Sequence, residues 1–182
     1  GDAEVTRVRT EVPLPAAVAV ERAVAVVSSA PSSPEPRNAH VGVELRATRL
    51  VLHRSEDQTG RASTVRWCVV QWAASARVRV LHAALSLVDA AALTPAAVEA
   101  ALAAPENATH AFAFDVGAAP HRFAFDAART FALVTLAQGG GVFTDGNDYY
   151  AVHVEPANVL RLATRSLPPT ATAYAQLVEL PE

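Results

Sequence analysis

The feature that most constrains this chain is a long succession of short apolar runs, each bounded by polar, glycine or proline residues. In several runs, such as residues 5–12 and 77–81, apolar and polar side chains alternate. A period of two is typical of strands that bury one face. Roughly eight to ten such strands follow one another, which predicts an all-β fold: an antiparallel jelly-roll sandwich or barrel.

One segment departs from the strand pattern. Residues 94–102 are rich in alanine, the best helix former, and are followed by Pro105. Thr94 is placed to cap a helix, and Pro95 suits its first position. The sequence therefore predicts one short helix inside the β fold.

A serine- and proline-rich stretch at residues 28–36 divides the chain. Its prolines cannot continue a central strand or a helix. We therefore expect residues 1–37 to form an N-terminal arm or outlying strands, and residues 38–182 to form the jelly-roll β domain.

Composition limits the functions that are open to the chain. Hydrophobic residues make up 51% of it and charged residues only 18%. This apolar surplus must go into the core or into contacts with other subunits. The net charge of −3 argues against a strongly basic nucleic-acid-binding domain. No apolar run reaches the roughly 18 residues of a membrane span, so no membrane partner is expected.

No motif in the sequence points to metal or cofactor chemistry. The six histidines lack the short spacings of zinc sites, and the glycines at 139–141 lack the lysine and serine of a phosphate-binding loop. Residues 145–148 read as a turn rather than a calcium loop. We expect no cofactor, no metal and no enzymatic activity. Cys68 is the only cysteine, and its apolar neighbours predict that it is buried.

Two stretches, residues 111–115 and 123–126, carry Phe at every second position and end in Asp115 and Asp126. The spacing predicts a pair of phenylalanine-rich strands. The two aspartates are typical turn formers. They could also form an acid and base pair, with His121 between them in sequence.

Four arginines and one tryptophan are the candidates for contacts with RNA or with neighbouring subunits. Arg7 and Arg9 alternate with glutamates, while Arg77 and Arg79 share one strand face. A solvated strand face remains the alternative for these arginines. Trp67 and Trp72 lie five apart and face opposite ways on a regular strand, so one can be core while Trp72 anchors an interface. The candidates are Arg7, Arg9, Arg77, Arg79 and Trp72.

The middle of the chain, residues 63–136, resembles the coat proteins of tymovirus-like icosahedral plant viruses. The resemblance lies in the order of a strand with an aromatic break (63–75), a strand (78–87), the phrase Ala92-Leu93-Thr94-Pro95, and the phenylalanine-rich segments. It implies a jelly roll of two four-stranded sheets. It also implies a virion shell of identical subunits around genomic RNA, assembled in the host cytoplasm. No functional residue matches at the level of a motif.

Two other classes of function stay open. A β-sandwich binding module for a carbohydrate or protein ligand would show aromatic residues on loops or on one flat face. An enzyme on a β scaffold would need polar groups that converge from distant loops, and Asp115, His121 and Asp126 are the first group to consider.

Overall fold

The computed structural model of the chain describes residues 1–31, 40–54, 62–86, 91–93, 110–118, 120–137, 150–164 and 172–182. The described residues form antiparallel β-sheets, which confirms the all-β prediction. The strands are β1 (Asp2–Val5), β2 (Arg9–Pro13), β3 (Ala23–Pro31), β4 (Gly42–Arg46), β5 (Arg49–His53), β6 (Ser63–Gln71), β7 (Arg79–Ser86), β8 (Ala91–Leu93), β9 (His110–Asp115), β10 (Thr130–Ala137), β11 (Tyr150–Glu155), β12 (Val159–Thr164) and β13 (Thr172–Glu179).

The first six strands enclose a hydrophobic core of their own, and we call them the N-terminal unit. One sheet has the order β1-β6-β3 and the other has the order β2-β5-β4. Val5 and Val65 of the first sheet are fully buried against Leu50 and Leu52 of the second. The strands before residue 37 therefore pair with strands after it. Residues 28–31, which belong to the stretch predicted to interrupt the strands, form the end of β3, a strand at the edge of its sheet, where proline is tolerated. The division at residue 37 stays a prediction.

The remaining strands form a second pair of sheets around a second core, and we call them the C-terminal unit. Its sheets have the orders β7-β13-β10 and β8-β9-β12-β11. Phe112, Leu160, Leu162 and Leu177 meet between these sheets. The structure thus has four small sheets among its described residues, rather than the two four-stranded sheets that the resemblance implies.

The two units repeat one topology. In the N-terminal unit the first strand pairs with the sixth and the sixth with the third, while the fifth lies between the second and the fourth. The same order returns in β7-β13-β10 and β9-β12-β11, with β8 added at the edge. A single turn of 3-10 helix ending in arginine precedes the third strand of each unit: Val20–Arg22 before β3 and Ala127–Arg129 before β10.

Equivalent backbone hydrogen bonds confirm the correspondence between the units. Trp72 N donates to Arg22 O at 3.0 Å, and Leu180 N donates to Arg129 O at 2.9 Å. Leu14 N donates to Thr48 O just before β5, as Val116 N does to Asn158 O just before β12. The first pair of bonds aligns β3 with β10 and β6 with β13, and the second pair aligns β2 with β9 and β5 with β12.

A side chain repeats the pattern. Gln71 Oε1 accepts the Ala19 N–H at 2.7 Å, and Glu179 Oε1 accepts the Asp126 N–H at 2.9 Å. Ala19 and Asp126 each stand immediately before the 3-10 turn of their unit. Gln71 and Glu179 are therefore equivalent residues.

The units contact each other asymmetrically. The outer face of β7-β13-β10 in the C-terminal unit packs on the β3 and β4 edges of the N-terminal unit. Gln176 of β13 bonds to the backbone of Ala25, and Thr135 Oγ1 of β10 accepts the Val43 N–H at 2.9 Å. A third core cluster, with Val24 against Val80 and Val178, also lies in this contact.

Two expectations for individual elements are corrected or left open. Residues 123–126 are not a strand: Phe123 N donates to Val116 O, and Phe125 N donates to the side chain of Asn158. The alternation of Phe with other residues predicted a strand there. In the structure, these hydrogen bonds tie the segment to Val116 and Asn158, and no described strand pairs with it. The predicted helix at 94–102 and the turns at 139–141 and 145–148 lie outside the described residues.

Candidate functional site: an exposed β-sheet face and an arginine cleft

The outer face of β3 and β6 carries the first candidate surface. Val26 and Cys68 are cross-strand partners, and Val70 is the next residue on the same face of β6. All three are exposed, with Val26 at 46% and Val70 at 43%. Contiguous apolar side chains of this kind on a sheet face are suited to contact with another apolar surface.

The position of Cys68 overturns the expectation that it is buried. On β6 the side chains of Val65, Trp67 and Val69 point to the core, and the alternate residues, which include Cys68, point outward. Cys68 therefore faces solvent because of strand alternation, although its immediate neighbours in sequence are apolar.

The second candidate surface is a cleft of about 310 Å³ between the start of β7 and the end of β13. It contains two of the predicted arginines and a third that the sequence did not single out. Its lining residues are Arg77, Arg79, Arg129, Glu179, Leu180, Pro181 and Glu182. Guanidinium groups with planar donor arrays bind carboxylate and phosphate oxygens, so the cleft can hold an anionic group.

Two of the three cleft arginines are held by partners. Arg79 donates to Glu179 at 2.7 Å, and its guanidinium lies 4.7 Å from the centre of the Phe123 ring. Arg129 donates to Asp126 at 3.0 Å. The Arg129 bond and the Ala128 N–H lower the pKa of the Asp126 carboxyl. These contacts fix the two guanidinium groups in place.

Arg77 is the cation of the cleft that has no carboxylate partner among the described residues. It is exposed and sits in the left-handed region with φ of 53°. Its backbone follows the 3-10 turn Ala74–Ala76, which aims the chain into β7. Arg77 is therefore the arginine of this cleft that is available to an external anion.

The predicted arginines of the N-terminal region lie elsewhere. Arg7 is exposed in the turn between β1 and β2 and has no ion pair with any described residue. Arg9 donates to Glu11 at 2.6 Å, and Glu11 also faces Arg49 at 3.5 Å. The described contacts join Arg77 and Arg79 in one cleft but do not join Arg7 or Arg9 to it.

Trp72 is half-buried rather than displayed on a surface. It packs against the cluster of Val24, Val78, Val80 and Val178 that joins the two units. Trp72 therefore lies in the contact between the two units of one chain, and its proposed role in contacts with RNA or other subunits stays a prediction.

Trp67, the other tryptophan, lines an apolar groove of about 330 Å³ together with residues 14–18, Val69 and Gln71. Counting back three residues from the equivalent positions Ala19 and Asp126 aligns Ala16 with Phe123. In the C-terminal unit Phe123 is buried in the core, whereas Ala16 is exposed and lines the groove.

The aspartates considered as a catalytic pair each have a local structural role. Asp115 Oδ1 accepts the N–H groups of Gly117 and Ala118, and Asp126 Oδ1 accepts the Ala128 N–H. These are turn and cap bonds of the kind that aspartate commonly makes. His121 lies in the turn between the two segments.

Within the described part of the chain, no three His, Cys, Asp or Glu side chains are grouped to hold a metal ion. Among the same residues, no helix has the length and apolar character that a membrane crossing requires.

Comparisons of the chain with family models, with curated proteins and with solved structures found no match.

Proposed function

We propose that this chain is a structural coat subunit that assembles with identical copies into an icosahedral shell around RNA, as part of a virion formed in the host cytoplasm. The observation that carries the proposal is the exposed aliphatic face of Val26, Cys68 and Val70. A surface of this kind on a sheet is suited to association with another protein surface.

The strand order supports a jelly-roll assignment for each unit. A jelly roll has eight strands in two sheets, joined as two Greek keys. If its strands are lettered B to I, its sheets have the orders B-I-D-G and C-H-E-F. In the N-terminal unit, β1-β6-β3 corresponds to B-I-D and β2-β5-β4 to C-H-E. In the C-terminal unit, β7-β13-β10 corresponds to B-I-D and β9-β12-β11 to C-H-E. Strands F and G have no counterpart in the described part of either unit. We infer a tandem pair of reduced jelly rolls.

The first experiment measures the mass of the purified protein by light scattering, together with a negative-stain image. Assemblies of tens of subunits support the coat proposal. A monomer that persists from low to high protein concentration, at pH 5 to 8 and at low and high salt, overturns it.

Arg7 and Arg77 are the arginines proposed to meet RNA, because both are exposed and neither is paired with a described carboxylate. The double variant Arg7→Ala/Arg77→Ala should lower the 260/280 nm absorbance ratio of purified assemblies. Arg9→Ala is the matched control, since Arg9 is already paired with Glu11. An unchanged ratio in the double variant would remove RNA contact from the proposal and leave self-assembly intact.

The groove beside Trp67 favours a second candidate function, a binding module for a small apolar or sugar-like ligand. Aromatic side chains supply flat apolar area for such ligands. Titration of a glycan and lipid panel against the fluorescence of the Trp72→Phe variant would detect binding at Trp67. Ala16→Phe, which copies Phe123 of the other unit, should fill the groove and abolish the signal.

A further inference from the structure

Resting on the proposed self-assembly, we propose that copies of the chain associate head to tail. The outer β3–β6 face of one copy receives the β10 edge of the next copy, with Phe131 at its centre. The partner is a second copy of this chain, and the contact repeats the one that already joins the two units within each copy.

The contact between the units supplies the first step. It is heterologous, since the C-terminal unit contributes a sheet face and the N-terminal unit contributes the edge of β3 with Val24. Each unit has both kinds of surface because the units share one topology. A heterologous contact uses one surface of each unit and leaves the complementary surface of each unit unused.

The exposures of equivalent residues identify the unused surfaces. Val24 is 3% exposed and Val178 is 0% exposed, because they meet in the contact between the units. Their equivalents are Phe131, 41% exposed, and Val70, 43% exposed. Each of these two equivalent positions is therefore buried in one unit and exposed in the other.

Neighbouring positions follow the same rule. Leu133 of β10 packs against the cluster between the units, while its equivalent Val26 is 46% exposed. Trp72 packs against that cluster too, while its equivalent Leu180 is 43% exposed. Two apolar patches result: Val26, Cys68 and Val70 on the N-terminal unit, and Phe131 with Leu180 on the C-terminal unit.

The two patches are complementary in chemistry and in role. One is a sheet face and the other lies beside the edge of β10, as in the contact within the chain. Both are apolar, so burying them together removes aliphatic and aromatic area from water. Because a head-to-tail contact leaves one patch free at each end, it adds copies until a ring closes or, where the rotation does not close, extends as a helical filament, and a shell needs further contacts between copies.

The test uses two single variants, Val70→Asp and Phe131→Asp. Each variant carries a charged carboxylate in one apolar patch and leaves the other patch unaltered. Each variant alone should therefore be monomeric by analytical ultracentrifugation. Mixed in equal amounts, the two variants should form dimers that grow no further. Val8→Asp is the matched control: Val8 is 36% exposed but belongs to neither patch, and this variant should assemble like the unaltered chain.

An isologous contact predicts a different pattern, and each result decides the question. If Phe131→Asp alone still dimerises while Val70→Asp does not, the contact joins two β3–β6 faces and the inference is wrong. It is also wrong if both variants assemble like the unaltered chain, although the proposed coat function then stands. If the unaltered chain is itself monomeric, both fail. Circular dichroism confirms that each variant is folded before mixing.

Disulfide trapping supplies a second measurement that does not depend on loss of assembly. In a Cys68→Ser background, Val70→Cys with Phe131→Cys should give a ladder of covalent oligomers on mild oxidation. Val70→Cys alone in the same background cannot form more than a covalent dimer. Absence of any species above dimer in the double variant would overturn the head-to-tail polarity.

Discussion

The side chain of Gln176 clamps the backbone of Ala25 from the neighbouring unit. Its Oε1 accepts the Ala25 N–H at 2.7 Å, and its Nε2 donates to the Ala25 carbonyl at 2.8 Å. Ala25 lies on β3, and none of the described strands pairs with the outward edge of β3 in its sheet. The Gln176 amide thus makes the hydrogen bonds to Ala25 that a neighbouring strand would otherwise make. Gln176 is 2% exposed, so these bonds are buried.

Replacing Gln176 by Leu should therefore destabilise the chain strongly. The substitution leaves a buried N–H and a buried carbonyl of Ala25 without partners, at a cost of roughly 2–4 kcal/mol in the free energy of unfolding. Urea unfolding measures it. Gln71→Leu is the control, because Gln71 is exposed and bonds one N–H, so its loss should be under about 1 kcal/mol. Equal losses in the two variants would contradict this role of the clamp.

His82, the cross-strand neighbour of Gln176, makes stability depend on pH. Its Nε2 lies 3.0 Å from the carbonyls of both Val20 and Ala23, so this nitrogen carries the proton it donates. Burial lowers the pKa of His82 below its ordinary 6.5, although the two carbonyl bonds oppose the shift. The folded chain therefore takes up the second proton less readily than the unfolded chain does.

Stability should accordingly be highest above pH 6.5 and fall as the solution is acidified through the lowered pKa. Burial lowers the pKa of His40 and His53 as well, so they add to the same slope. The His82→Gln variant keeps a donor but cannot titrate. Its free energy of unfolding should change less between pH 7.5 and 5 than that of the unaltered chain. Identical slopes would show that His82 contributes nothing to the pH dependence.

Glu179 should tolerate glutamine better than an apolar residue. Its carboxylate is buried and accepts from Asp126 N and Arg79, whereas its equivalent in the other unit is Gln71. Glu179→Gln can keep the backbone bond and should cost about 1 kcal/mol, since half-exposed Arg79 is screened by solvent. Glu179→Leu loses that bond too and should cost about 2–3 kcal/mol by urea unfolding. The reverse order would refute the equivalence of the two positions.

Cys68 should react readily with a thiol reagent in the folded state. Cys68 is exposed on β6 in a single copy of the chain. In the unassembled protein, the rate at which its thiol reacts with a disulfide reagent should therefore approach the rate measured for the chain in denaturant. Cys68→Ser should show no reaction. A thiol that reacts only after denaturation would mean that the face is covered even in a single copy.

Much of the sheet structure could be predicted from the sequence, because strand alternation is a local property. The strands predicted at residues 78–87 and 111–115 are observed as β7 and β9, within one residue of the predicted bounds. Alternation also fixes Cys68 outside once Val65 and Trp67 are placed inside, so its exposure could have been found. The pairing of strands could not, since it depends on contacts between residues far apart in sequence.

The repeat was missed because few side chains mark it. Residues 20–30 and 127–137 align without gaps, and four of these eleven positions are identical: Arg22 with Arg129, Ala25 with Ala132, Val27 with Val134, and Ala30 with Ala137. Elsewhere the equivalent residues differ in size and charge, as Ala16 and Phe123 do. The backbone hydrogen bonds carry the correspondence, and a sequence pattern does not display them.

The asymmetric docking of the units has a consequence for how the chain acquires its structure. The N-terminal unit closes a core of its own from residues 1–71, all of which leave the ribosome before β7 begins. The edge of β3 is then already in place when β13, the last strand, brings Gln176 to it. We therefore expect a released fragment that ends at residue 72 to be compact and to lack Gln176, the partner of the Ala25 backbone.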